Sequence, residues 1–175
     1  LLHHIGMATS PALYRTLNYN PLTDFEYIGL VSDVPMTLIA RGDFPPVNFK
    51  ELVPYLRANR AKVSLANAGL GAASHLCGLI FLSSIEVDLV TVPYKGTAPL
   101  MTDLIAGQTQ FSFSNPLGAL PFIRSGKLKG LGVAALRKLD IAPEVPTMHE
   151  TGLPGFETGV WFAFFTTGGT PRDIV

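Results

Sequence analysis

The sequence predicts an α/β fold built on a mostly parallel sheet, and three observations carry that prediction. Short apolar strands alternate with helical stretches of about ten residues, the pattern of βαβ units. Glycine and proline punctuate the junctions, 17 Gly and 14 Pro in 175 residues, so connections are short and sharply turned. With 47% hydrophobic residues the chain has enough apolar surface for one or two packed domains.

The elements follow in order. Residues 1–14, LLHHIGMATSPALY, predict the end of a buried strand, a small-residue loop and a helical turn starting near Ser10 and Pro11. Two strands are expected at 25–31 and 36–40, with Pro35 between them. Residues 44–62 hold a helix with a clear entrance: Asn48 as N-cap, Glu51 three positions on, and Leu52, Tyr55 and Leu56 along one face. Pro54 falls early enough in that helix to bend it only slightly.

A strand in KVSLANAG then runs into a glycine bend, and a helix is expected over 73–84. The run VDLVTVPYKG reads as a strand buried on both faces. Its following helix has Thr97 as cap, Pro99 early and Gly107 at its end. A strand at 109–114, a turn and helix ending at Gly126, and a strand in LKGLGVAA complete this alternation. The tail predicts a short helix near 147–151, a Gly/Pro turn and a strongly apolar strand. TPRDIV at 170–175 predicts the start of another helix.

Composition excludes several functions. Lys plus Arg equals Asp plus Glu, 13 each, so the basic excess that neutralises a nucleic-acid backbone is missing. No apolar run reaches the roughly 20 residues needed to span a bilayer, so no membrane insertion is expected. Cys77 is the only cysteine, which rules out an internal disulfide and a thiolate metal cluster. His3, His4 and His149 lack metal-ligand spacing, and no pair of acids suggests proton-transfer work, so neither metal nor cofactor is expected. The chain has no initiator methionine and opens on Leu1 and Leu2 as though already inside a strand, which reads as a piece of a longer protein.

In open α/β sheets ligands bind beyond the carboxyl ends of strands, where loops lead into helix N-termini. That directs attention to 66–74, 94–97 and 114–116. SLANAGLGAASHL, residues 64–76, admits three chemistries. A Walker loop needs a lysine that this stretch lacks, and a dinucleotide fingerprint needs glycine where Ser74 stands. A hydrolase would use Ser74 or Cys77 with His75 as base. Neighbours on a helix point about 100° apart, so Ser74 and His75 do not form a natural dyad.

The third reading is an anion cradle. A helix start offers unpaired N–H groups and a partial charge of roughly +0.5, and glycines let a ligand approach the backbone. Ala68, Gly69, Gly71, Ala72, Ala73, Ser74 and His75 would form it, with the Ser74 hydroxyl as an extra donor. A purely structural role explains the same residues, Ser74 as an N-cap and His75 as half-buried packing. Tyr94, Lys95 and Gly96 repeat the strand-loop-helix design, with Tyr94 as an apolar wall bearing a hydroxyl and Lys95 as an attractor of anions. Ser114 and Asn115 end a third strand as polar probes, or as an ordinary Asn-Pro turn.

These segments carry a resemblance. VPYKGTAPLMTDLIAGQTQFSFSNPLG, APEVPTMHETGLPGFETGVWFAFFTTGGTP, ANAGLGAASHL and NYNPLTDFEYIGLV together resemble the Bug family, substrate-binding receptors of tripartite tricarboxylate transporters. The resemblance covers essentially the whole chain. It implies a periplasmic-binding-protein-like (type II) fold of two α/β lobes closing on a small carboxylate. It also implies a bacterial periplasmic location, a secretory signal in the full-length protein, transporter subunits as partners and a monomeric state.

By position, residues 1–39 and 159–175 would belong to lobe one, incomplete here, and 40–158 to lobe two. The crossings near Ile39–Ala40 and Thr158–Gly159 would form the hinge. The resemblance places 68–74 at the carboxylate loop of lobe two, Tyr94, Lys95 and Gly96 at its second loop, and His4, Ile5 and Gly6 at the lobe-one loop. Ser114 stands where the family often has an acidic residue, which favours a ligand without a cationic group. The rival readings are an effector-binding domain of a regulator and the Ser74/His75 hydrolase.

Overall fold

The computed structural model describes residues 2–175. Its order is β1 (Leu2–His4), α1 (Gly6–Leu13), β2 (Phe25–Pro35), β3 (Thr37–Arg41), α2 (Phe49–Ala58), β4 (Ser64–Asn67), α3 (Ala73–Ser84) and β5 (Val90–Pro93). Then follow α4 (Thr97–Ile105), β6 (Phe111–Ser114), α5 (Pro116–Arg124), β7 (Leu128–Val133), α6 (Met148–Thr151) and β8 (Gly159–Thr167). The chain divides into two compact units, one reaching Val34 and resuming at Val160, the other Pro35–Gly159.

The first unit carries a sheet of order β1-β8-β2, with β1 antiparallel to β8 and Leu2 opposite Phe164. Met7, Ala163 and Phe165 form its core, with Phe25 and Trp161 packed against them. Leu2 is 56% exposed, so the buried strand expected at the start is a surface strand. Helix α1 begins at Gly6, where a loop was expected, and Pro11 lies inside it. Pro11 has no N–H for the Met7 carbonyl; the Ser10 hydroxyl donates to that oxygen at 2.8 Å instead, so the helix tolerates the proline.

The second unit holds a sheet of order β5-β4-β6-β3-β7. β4 runs parallel to β5 and β6, whereas β3 runs antiparallel to β6 and β7. The sheet is therefore mixed, a correction to the mostly parallel expectation. Given these directions, the connection through α2 leaves and re-enters on the same edge of the sheet, so it is no parallel crossover. The α2 entrance is as expected: Asn48 Oδ1 accepts from the Glu51 amide, and the Glu51 carboxylate accepts from the Val47 amide.

Phe81 of α3 sits at the centre of one face, with ring centroids 5.6 Å from Phe113, 6.1 Å from Phe49 and 6.3 Å from Phe156, all edge-on. Such pairs add about 0.5–1.5 kcal/mol each beyond area burial. Gly78 lets α3 lie close on β4: a Cβ there would stand 2.6 Å from Leu65 Cδ2. Ile39, Ala66, Leu100, Met101, Leu104, Ala119 and Leu128 form the core on the other face, under α4 and α5.

Three local expectations are corrected here. β5 is an edge strand with Val90 66% exposed, since an apolar run does not itself say whether a strand is central. Gly96 at φ +107° is the N-cap of α4, so Thr97 is its first residue and provides no cap. Residues 171–174 make a turn closed from the Ile174 amide to the Pro171 carbonyl rather than a helix.

Among the described residues no helix is long and apolar enough to cross a membrane.

Candidate functional site

Because β4, β5 and β6 run the same way, their carboxyl ends share one edge of the sheet, and α3, α4 and α5 all start there. The edge therefore collects Ala68–His75, Tyr94–Gly96 and Ser114–Asn115. These helices have 12, 9 and 9 residues, and none carries an acidic residue in its first turn. Three positive dipole ends with no carboxylate of their own favour an anion in front of them.

The β4–α3 turn is held by its own side chains. Asn67, 1% exposed at the end of β4, accepts the Gly69 amide through Oδ1 at 3.1 Å, closing an Asx turn. Gly69 then takes φ +124° and Gly71 φ +77°, which side-chain-bearing residues adopt only with strain. The Gly69 carbonyl accepts from the Ala72 amide at 3.1 Å. Ser74 Oγ accepts from the Ala68 amide at 2.9 Å, and His75 Nδ1 accepts from the Gly71 amide at 3.3 Å.

Ser74 is thus not the N-cap. Ala72 holds that position, without a side-chain cap, and Ser74 is buried in the first turn. Helix α3 keeps its first amides open: those of Ala73 and Ser74 have no acceptor among the described residues. Burial pushes His75 below the ordinary imidazole value, which keeps Nδ1 an acceptor and places the proton on Nε2. Ser74 and His75 each serve a loop amide rather than one another, the geometry of a shaped turn.

The β5–α4 turn leans on the first. Its Tyr94 amide donates to the Asn67 carbonyl at 2.8 Å and its Gly96 amide to the Ala68 carbonyl at 3.1 Å. The Tyr94 hydroxyl, expected to face a ligand, donates to Asp103 of α4 at 2.9 Å. Desolvation, then the Asp103 carboxylate, raises its pKa. Lys95 is exposed on the tip. At the third strand end Asn115 caps α5 by accepting the Leu117 amide at 2.9 Å. Ser114, 4% exposed, reaches only the Asn115 carbonyl, at 3.5 Å.

His4, Ile5 and Gly6 lie in the other unit. His4 Nδ1 accepts the Gly6 amide at 3.1 Å, and Ile5 precedes α1 as its N-cap. Burial, then the charge of His3, pushes His4 below its ordinary value.

Sequence reasoning missed Asn67, Asp103 and Thr37. Asn67 was legible as Asn-x-Gly closing an apolar strand. Asp103 stands nine positions beyond Tyr94, on the helix that follows, a partnership no local pattern announces. Thr37, a lone hydroxyl in PMTLIA, is 1% exposed with Oγ1 unpartnered among the described residues.

Comparison with known proteins agrees with this geometry. A family profile described as "Tripartite tricarboxylate transporter family receptor" matches residues 2–175. A protein of Agrobacterium vitis, described as the UPF0065 protein in the TAR-I ttuE-ttuC' intergenic region, is 38% identical over 99% of this chain and 50% of its own length. The solved structure of the periplasmic binding protein BugD superposes with a TM-score of 0.92 at 49% identity, covering 99% of this chain and 58% of that one. MatC from Rhodopseudomonas palustris, solved with bound malate, gives 0.90 at 34% identity, covering 99% of this chain and 59% of that one. The chain spans about half the length of the curated relatives it matches.

Proposed function

The chain belongs to the family of tripartite tricarboxylate transporter receptors, and on that premise we propose that it binds a small organic carboxylate at the start of α3. The observation that carries this reading is the meeting of three helix starts on one sheet edge, none with an acidic first turn, with the Ala73 and Ser74 amides open in front. A carboxylate accepts from both amides and sits on the positive end of α3. Each charge-assisted hydrogen bond is worth about 1.5–3 kcal/mol, and micromolar affinity requires about 8 kcal/mol. Two amides therefore need further donors from the neighbouring helix starts.

The full-length protein is, on this reading, a periplasmic receptor that hands its ligand to the membrane subunits of a transporter and acts as a monomer. Ligand-driven closure of the lobes expected above belongs to the same proposal: a solute that binds the closed form better shifts the population toward it. The malate in MatC supports a dicarboxylate as the ligand class.

The test is a thermal-shift screen of the full-length protein against mono-, di- and tricarboxylates, sugars and amines. A receptor of this kind gains stability from a narrow set of acids by mass action. Stabilisation by sugars or amines, with none by acids, contradicts the proposal.

A further inference from the structure

Two hydroxyls at the sheet edge are left over once the hydrogen bonds of the loops are assigned. Thr37 opens β3 and stands directly opposite Ser114, the last residue of β6, in the antiparallel register. Both are buried, at 1% and 4% exposure. The next pair on the same face is Ile39 with Ser112, since strand faces repeat every two residues. Ile39 belongs to the core under α4 and α5, so Thr37 and Ser114 face the space where those helices begin.

Ser112 sets a standard for a hydroxyl on this face: its Oγ donates to the Ala66 carbonyl at 2.8 Å. The edge pair does not meet it. Thr37 Oγ1 has no partner among the described residues, and Ser114 Oγ has only the 3.5 Å contact to the carbonyl beside it. An unpaired buried hydroxyl is costly, and here two of them stand side by side beside the open amides. A simple packing role would be better filled by valine and alanine.

We propose that Thr37 and Ser114 form a floor subsite that donates to an oxygen at the far end of the bound acid, a second carboxylate or a carbonyl. The inference deepens the carboxylate reading and rests on it. Both groups are neutral donors, and the nearest loop carboxylate, Asp103, is engaged by Tyr94, so a ligand ammonium finds no counter-charge on this floor. The selected class is a dicarboxylate or oxo-acid without an amine.

The experiment is calorimetric titration of the full-length protein with succinate, aspartate and butanoate, for wild type, Thr37→Val and Ser114→Ala. Wild type should bind succinate more tightly than either of the others. Each substitution should weaken succinate about tenfold, the worth of one charge-assisted hydrogen bond. Butanoate, which has no far oxygen, should bind the variants as it binds wild type. The melting temperature of the ligand-free Thr37→Val protein should not fall, because valine keeps the volume and removes an unpaired hydroxyl. If Thr37→Val is poorly folded, Ser114→Ala carries the same readout. Unchanged succinate binding in both variants overturns the subsite alone and leaves the pair holding only water. A wild-type protein that binds no acid overturns the carboxylate reading as well.

Discussion

The turns after β4 and β5 have the same plan, a strand, a glycine at positive φ and a helix, yet they use their side chains oppositely. In the first, Asn67, Ser74 and His75 all point back at loop amides and hold an irregular backbone in one shape. In the second, Tyr94 turns away to Asp103, and the backbone leans on the first turn through the Asn67 and Ala68 carbonyls. One turn is preorganised with its helix amides open; the other is its buttress. A glycine-rich turn thus marks where a backbone can approach a ligand, while the neighbouring polar side chains decide whether it is held ready to do so.

The largest effect expected is at Gly69. Its φ of +124° is forbidding for a branched residue, and a Cβ would stand 3.2 Å from the Tyr94 carbonyl, the contact where the two turns meet. Gly69→Val should cost about 1–3 kcal/mol in backbone strain and abolish the thermal shift given by the best acid. A variant that keeps its ligand response would show that the shape of the first turn does not matter.

Next come the two hydroxyls. Ser74→Ala strands the Ala68 amide and should cost about 1–3 kcal/mol of stability together with a clear loss of affinity. Tyr94→Phe removes only the bond to Asp103 and should cost about 0.5–1.5 kcal/mol with ligand affinity unchanged. Chemical denaturation and calorimetry separate the two; equal losses of affinity would erase the distinction between clasp and buttress.

A smaller effect concerns pH. His75 accepts the Gly71 amide only while neutral, and its folded pKa lies below the ordinary value. The unfolded chain therefore takes up the proton first. The His75 contribution to stability is complete above about pH 6.5 and is lost as pH falls through the lower folded value. His75→Gln should flatten, without abolishing, the acid loss of stability, because His4 is shifted in the same sense. An unaltered pH profile would mean that the ring does not hold the loop.

The smallest effect lies away from both turns. Glu86 takes φ +54° where α3 ends, with the Val87 amide reaching back to the Leu82 carbonyl, a position that glycine fills more readily. Glu86→Gly should raise stability by up to about 1 kcal/mol and leave binding alone.

Local chemistry was legible in the chain and long-range geometry was not. Helix α3 begins at Ala73 and ends at Ser84 as expected, because the glycine bend and the apolar run bound it on either side. Gly107 ends α4 as expected, at φ +83° with the Gln108 amide on the Asp103 carbonyl. The direction of β3 was hidden, since periodicity is blind to whether a neighbour runs parallel. The edge position of β5 was hidden for a similar reason. Ser74 was misread because a hydroxyl near a helix start resembles a cap, and only the fold shows it reaching back to Ala68. Thr37 gave no local signal at all; its interest comes from a partner 77 residues away across the sheet.

The most direct test is a crystal structure of the full-length receptor with a bound dicarboxylate. The account predicts carboxylate oxygens about 3 Å from the Ala73 and Ser74 amide nitrogens, in front of an unchanged Gly69–Ala72 turn. A ligand held elsewhere, with those two amides facing water or closed by a side chain, would contradict it.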